Sequence, residues 1–113
     1  MTKATEREII REDHAKGGEG YILKEPFLGQ EELGENCRLF SRMTLPAGCG
    51  LGYHENHGET ETYYILSGSG VYNDNGKDIP AEAGDVFFCK DGDGHGMVNT
   101  GKYDLSFVAL ILK

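Results

Sequence analysis

The chain has 113 residues, enough for one domain with a modest core and too few for two. Its net charge of −8 comes without the clusters of Lys and Arg that hold a phosphate backbone, so we expect no nucleic-acid partner. Only 38% of the residues are hydrophobic, below the ~45–50% usual for globular proteins. This shortfall indicates either a polar site in the interior or an apolar face that is buried between two copies.

The predicted strands are short runs of β-branched and aromatic residues, separated by Gly, Asn and Asp. A single helical turn is indicated at Gln30–Leu33, and Asn75-Gly76 predicts a tight hairpin because a type I′ turn needs positive φ at both central positions. In chain order the predicted strands are Glu8–Arg11, Tyr21–Phe27, Cys37–Leu45, Gly52–His54, Glu61–Ser67, Gly70–Asn73, Lys77–Pro80, Asp85–Cys89, Gly96–Asn99 and Leu105–Leu112.

This pattern predicts an all-β fold, either an antiparallel sandwich or a barrel. Residues 1–35 are more polar and less regular than the rest, so we expect an N-terminal arm or edge strands that pack on the barrel or on a partner subunit. Residues 36–113 would form the barrel itself. Because so small a domain buries a limited share of its surface, we also expect a homodimer.

The cysteines and the first residues indicate where the protein works. Cys37, Cys49 and Cys89 are widely spaced and odd in number, which argues against a disulfide framework and favours a reducing, cytoplasmic setting. The stretch Met1–Arg11 is charged and lacks the apolar region of a signal peptide. The longest apolar run, Phe107–Leu112, is too short to span a bilayer, so we expect no membrane partner.

Candidate metal ligands are concentrated between residues 54 and 95. His54, His57 and His95 lie near strand edges that are bounded by glycines, and Glu61 opens a predicted strand. Imidazoles combined with one carboxylate are ligands that suit iron, manganese, nickel, copper or zinc. The run His54-Glu55-Asn56-His57 is not the HExxH motif of metalloproteases, because its histidines are three residues apart rather than four and the flanking glycines do not support a helix.

The wider spacing resembles the first motif of the cupin superfamily. That motif runs from Gly through five residues to His-x-His, then to Glu, and through six more residues to a second Gly. Here Gly48 is followed by five residues and His54, and Glu61 is followed by six residues and Gly68.

The second cupin motif is matched independently. Gly84 leads through five residues to Lys90-Asp91-Gly92, and His95 and Asn99 follow at the family's spacing. Lys90 stands where the family has Pro. With both motifs present in the right order, the chain resembles a small single-domain cupin, and this resemblance implies a jelly-roll β-barrel.

The resemblance also implies a ligand set. His54, Glu61 and His95 would point inward at one divalent metal ion. The second His of His-x-His falls on Asn56, and His57 is one residue further on. Strand alternation favours Asn56 on the ligand face, whereas a β-bulge would turn His57 inward, so the fourth ligand is left open between them.

The same alternation predicts the wall of the pocket. Side chains two residues apart on a strand share a face, so Tyr63 should lie beside Glu61, and Met97 and Asn99 should lie on the same side as His95. The expected function is that of a small metal-binding cupin acting on a small polar or carboxylate-bearing molecule. Dioxygenase, isomerase, decarboxylase and lyase chemistry are all open, because this fold hosts many reactions. The alternatives are a non-catalytic small-ligand binding or sensor protein, and a metal-free scaffold.

Overall fold

The structure, a computed structural model, describes residues 2–113 and is built mainly from strands. One α-helical turn, α1 (Gln30–Leu33), and two 3-10 turns (Ala4–Glu6 and Ala15–Gly17) complete it, and within residues 2–113 no helix is long and apolar enough to cross a bilayer. The strands are β1 (Ile10–Asp13), β2 (Tyr21–Pro26), β3 (Cys37–Leu45), β4 (Gly50–Glu55), β5 (Thr60–Ser67), β6 (Ser69–Asp74), β7 (Lys77–Glu82), β8 (Val86–Cys89), β9 (Gly94–Val98) and β10 (Leu105–Leu112).

Backbone hydrogen bonds join these strands into two sheets. The larger sheet has the order β1-β2-β3-β10-β5-β8, and the smaller has the order β4-β9-β6-β7. Every pairing in both sheets is antiparallel. The prediction of an all-β antiparallel fold is therefore confirmed, while closure of the two sheets into one barrel stays a prediction.

The inner faces of the two sheets meet in one hydrophobic core. The larger sheet contributes Tyr63 and Phe107, and the smaller sheet contributes Tyr72 and Met97, all of them at most 2% exposed. On β5 buried and more exposed residues alternate, because successive side chains of a strand point to opposite faces. The same alternation decides which polar residues are carried inward with the core.

The hairpin between β6 and β7 fixes one of these inward positions. Asn75 and Gly76 have φ values of 52° and 92°, as the predicted turn requires. The Gly76 N–H donates to Asn73 Oδ1 over 2.6 Å and closes the turn. The resulting register pairs Tyr72 with Ile79 and directs the Tyr72 side chain into the core.

The N-terminal segment extends the larger sheet and also reaches the smaller one. β2 pairs with β3, and β1 pairs with β2 at the edge. The 3-10 turn between β1 and β2 packs on β4, and a Cβ at Gly52 would lie well inside contact distance of the Lys16 carbonyl oxygen. Gly at position 52 therefore permits this close approach of two backbones.

Candidate metal centre

Three strands from the two sheets carry the side chains of the candidate metal centre. His54 on β4 and His95 on β9 are directly opposite each other in the smaller sheet, and Glu61 lies near the start of β5 in the larger one. One ligand atom from each of the three lies within 4.8 Å of the other two. Their side chains are 15%, 1% and 5% exposed, respectively, so the cluster faces the interior.

The distances within the cluster fit a shared ion. His95 Nε2 lies 2.8 Å from Glu61 Oε1 and 3.1 Å from His54 Nε2, and His54 Nε2 lies 3.6 Å from Glu61 Oε1. Two ligand atoms at adjacent corners around an ion about 2.1 Å away are separated by about 3 Å. The three donors therefore form a compact triangle able to hold a divalent metal ion, and its donor set suits the first-row transition metals.

Hydrogen bonds orient both imidazoles toward this triangle. His54 Nδ1 donates to the Gly52 carbonyl oxygen over 2.8 Å, which leaves Nε2 of the neutral ring with a free lone pair. His95 Nδ1 lies 2.9 Å from the Tyr72 hydroxyl oxygen, to which it donates when Nε2 is the ligand atom. The two nitrogens that face the triangle are thus the ones available to a metal.

The carboxylate of Glu61 is ionised in these surroundings. Burial by itself would raise the pKa of Glu61, but the hydrogen-bonding and electrostatic interactions of its carboxylate with the imidazoles of His54 and His95 outweigh it and lower the pKa to about 2. A ligating carboxylate must be deprotonated, so Glu61 is in the form that binds a metal.

The structure places Asn56 and His57 on opposite sides of the strand end. Asn56 is 4% exposed, and its Nδ2 lies 3.5 Å from Glu61 Oε1. The His57 side chain is 74% exposed and lies near Glu55, outside the cluster. The irregularity in β4 falls between Leu51 and His54, so the alternation from His54 onward is undisturbed and Asn56 takes the inward position.

The three predicted wall residues lie in different parts of the structure, and only Tyr63 contacts a residue of the cluster. The Tyr63 ring stacks on the His95 ring at a centroid distance of 4.9 Å, and Met97 is fully buried in the core. Asn99 holds the following loop: its Nδ2 donates to the carbonyl oxygens of Leu45 and Tyr103, and its Oδ1 accepts from the Gly101 N–H. The Asn99 amide is therefore engaged with backbone groups.

A cavity of about 270 Å³ lies beside the cluster and reaches His54, Asn56 and Glu61. Part of its wall is aliphatic. This part comes from β2, β3, β4 and β10, and it consists of Ile22, Leu39, Met43, Leu51 and Ile111. The rest of the wall is charged, with four carboxylates (Glu12, Glu55, Glu59 and Glu61) and three cations (Lys16, Lys24 and Arg38).

Two ion pairs stand in this wall. Arg38 makes two hydrogen bonds of 2.8 and 2.6 Å to Glu59, and these bonds, together with the charge of Arg38, lower the pKa of Glu59. Lys24 Nζ lies 2.8 Å from Glu12 Oε1, so the N-terminal hairpin supplies the second pair. Residues from the predicted N-terminal arm therefore form part of the cavity that adjoins the metal ligands.

Tyr72 and Arg38 were not predicted as site residues. Tyr72 stands out in the sequence only as an apolar strand residue, and its contact with His95 depends on the pairing of β6 with β9. In that pairing Tyr72 is opposite Met97, and His95 is one diagonal step away, within reach of a long aromatic side chain. Arg38 lies at the start of β3, and an ion pair with a residue 21 positions away has no local signal in the sequence.

Comparisons with known proteins agree with the geometry. The cupin domain family matches residues 41–111 of the chain. An oxalate-binding protein from Thermotoga maritima is 46% identical over 112 residues, which cover 99% of this chain and 93% of that protein.

Solved structures give the same result. A predicted oxalate decarboxylase from Thermotoga maritima has a TM-score of 0.95 and 43% identity, over 99% of this chain and 97% of that one. A polyketide cyclase from Streptomyces resistomycificus has a TM-score of 0.77 at 17% identity, over 99% of this chain and 78% of that one, and this likeness concerns the fold alone. The resemblance seen in the two sequence motifs is confirmed, and the chain belongs to the cupin domain family.

Proposed function

We propose that this cupin binds a small carboxylate such as oxalate at a divalent metal ion held by His54, Glu61 and His95. The observation that carries the proposal is the triangle of three inward donor atoms at the edge of a cavity. Asn56 is the residue we propose as a fourth ligand, through its side-chain oxygen, because it is buried beside Glu61. The relative named as an oxalate-binding protein supports a dicarboxylate as the ligand class.

The charges around the cavity explain why the ion and the carboxylate would depend on each other. Four carboxylates in the wall outnumber the three cationic side chains, and two of those cations are already paired with Glu59 and Glu12. An added dianion would therefore be repelled by the protein alone. A bound divalent ion supplies two positive charges and open coordination positions that accept carboxylate oxygens.

The residues of the chain have distinct roles in this proposal. The Gly52 carbonyl and the Tyr72 hydroxyl hold the two imidazoles in place, and the buried Glu61 carboxylate offsets part of the charge of the ion. The donor set suits iron, manganese, nickel, copper and zinc alike, so the metal is to be identified by analysis of protein purified without a histidine tag.

The test combines metal content with ligand binding. Protein stripped with a chelator is reconstituted with Mn²⁺, the bound metal is measured, and oxalate is titrated by calorimetry. We expect one ion per chain, binding of oxalate by the loaded protein, and none by the stripped protein. Because a solved relative is a predicted oxalate decarboxylase, release of CO₂ and formate is followed in the same samples to separate turnover from binding.

Matched histidine variants provide the control. His95→Ala should abolish metal uptake, whereas His57→Ala should retain it, because the His57 side chain is exposed and outside the cluster. Glu61→Gln provides a second test of the ligand set if His95→Ala does not fold. Full metal occupancy in both site variants would contradict the ligand set, and equal oxalate binding by the stripped and loaded proteins would contradict the metal dependence.

We also propose that the protein is a homodimer that pairs through the outer face of β8, β5 and β10. Phe88 and Val86 are 61% and 60% exposed there, and Tyr64 between them and β10 is 48% exposed. On this face of the sheet, no charged side chain separates Phe88, Val86 and Tyr64 from Val108 and Leu110 of β10. In a chain of net charge −8, this uncharged face is where a second acidic copy can approach with the least repulsion.

A further inference from the structure

We infer that the natural ligand is a chelating carboxylate that also carries a short aliphatic chain, of the kind found in 2-oxo acids. This inference rests on the proposed metal-dependent carboxylate site and concerns what lies next to it. Oxalate consists only of two joined carboxylates and has no group that could use an aliphatic wall. The cavity of about 270 Å³ lies near the lower end of the range for drug-sized ligands, which is more room than such a small anion needs.

Strand register places aliphatic side chains directly beside the ligand carboxylate. On β10, Ile111 is opposite Glu61 of β5 on one side and opposite Leu39 of β3 on the other. The three side chains therefore form one row on the inner face of the larger sheet. Because adjacent strands are about 4.8 Å apart, the row extends about 10 Å from Glu61 to Leu39.

Charged side chains flank the row. Arg38 precedes Leu39 on β3 and is paired with Glu59, which lies two residues before Glu61, and Lys24 of the N-terminal hairpin is paired with Glu12. A molecule whose carboxylate end lies at Glu61 would thus extend its remaining atoms over Ile111 and Leu39, alongside these ion pairs. An aliphatic chain of two or three carbons matches that path, because each buried methylene contributes about 0.8 kcal/mol.

The test is a series of ligands of increasing chain length. Mn²⁺-loaded protein is titrated with oxalate, pyruvate, 2-oxobutanoate and 2-oxopentanoate. From pyruvate to 2-oxopentanoate, we expect the dissociation constant to fall about fourfold for each added methylene, which is the affinity equivalent of its burial.

Two leucine variants test whether the dependence of affinity on chain length comes from the aliphatic part of the cavity wall. Leu39 is half-buried, so Leu39→Asn should fold and still bind oxalate, and it should abolish the dependence on chain length. Leu112→Asn is the matched control, since Leu112 follows Ile111 but is 45% exposed, and it should keep the dependence.

The two proposals fail in different ways. Equal affinity along the series, with oxalate still bound, would overturn the aliphatic-chain inference and leave the carboxylate site standing. A dependence that survives in Leu39→Asn would also overturn it, because the gain would then arise elsewhere. Absence of binding for every compound, oxalate included, would overturn both.

Discussion

Tyr72 shows how a core side chain becomes part of a metal site. Its ring is buried between the sheets and stacks on Phe87 at a centroid distance of 4.3 Å, so its hydroxyl has a fixed position. That hydroxyl lies 2.9 Å from His95 Nδ1. Burial also raises the pKa of Tyr72, so the phenol stays neutral and can accept a hydrogen bond from the imidazole at physiological pH.

Removal of this hydroxyl should weaken metal binding more than it weakens the fold. We expect Tyr72→Phe to lower metal affinity about 10- to 100-fold, the usual effect of losing a hydrogen bond to a ligating histidine. Tyr53→Phe is the control, because Tyr53 lies next to His54 on β4 but is 51% exposed. Competition with a fluorescent chelator measures both affinities, and equal affinity in wild type and Tyr72→Phe would contradict the role of Tyr72.

The limits of sequence reasoning at this scale are visible at Asn56 and His57. Strand alternation favours Asn56 on the ligand face, whereas a β-bulge would turn His57 inward, and both arrangements are physically reasonable for this sequence. The structure has its irregularity before His54 rather than after it, and no residue pattern marks that position. Spacing could find His54, Glu61 and His95 because the cupin motifs record a long-range arrangement that the local sequence does not.

At the scale of elements, strand positions follow from local sequence where both faces are well defined. Cys37–Leu45 and Leu105–Leu112 have the predicted bounds, because Pro46-Ala47-Gly48 ends the first strand and the second is a mostly apolar run that begins after the turn residues from Gly101 on. The first strand was predicted at Glu8–Arg11 but spans Ile10–Asp13. It is an edge strand with mostly exposed residues, so hydrophobic alternation gives little information on where it begins.

The contact between the N-terminal turn and β4 links the arm to the metal centre. The backbone of Gly52 lies against the Lys16 carbonyl group, and the Gly52 carbonyl oxygen accepts the hydrogen bond from His54 Nδ1. We expect Gly52→Ala to displace the turn and to destabilise the protein by about 1–3 kcal/mol, as overpacking usually does, with a loss of metal affinity.

Gly29→Ala is the appropriate comparison for that variant. A Cβ at Gly29 meets no atom within 4 Å, and the φ of −81° suits alanine. Urea denaturation gives the stability of both variants, and the chelator competition gives their metal affinities. If Gly52→Ala matches wild type in both measurements, the turn and the metal centre are independent.

At the scale of the whole molecule, the exposed apolar face of β8, β5 and β10 is the feature that a lone domain leaves unexplained. Contiguous exposed aromatic and aliphatic residues on a soluble domain usually mark a site of association. β8 is also an edge strand, with backbone groups open to a partner.

A charge placed on this face should prevent the proposed dimer from forming. Phe88→Asp would bury two carboxylates against an apolar partner surface, so we expect a monomeric mass by light scattering at micromolar concentration, where wild type gives a dimer. Tyr103→Asp is the control, because Tyr103 is 83% exposed on the loop before β10, away from this face. A monomeric wild type, or a dimeric Phe88→Asp, would contradict the proposed interface.

The distribution of the ligands over the two sheets has a mechanical consequence. His54 and His95 belong to the smaller sheet and Glu61 to the larger one, so an ion held by all three would fasten the two layers together at the open end of the sandwich. Protein with the ion bound would then resist separation of its two sheets at this end, and loss of the ion would allow the sheets to move apart there. Occupancy of the centre would in this way govern the rigidity of the entrance through which its own ligand must pass.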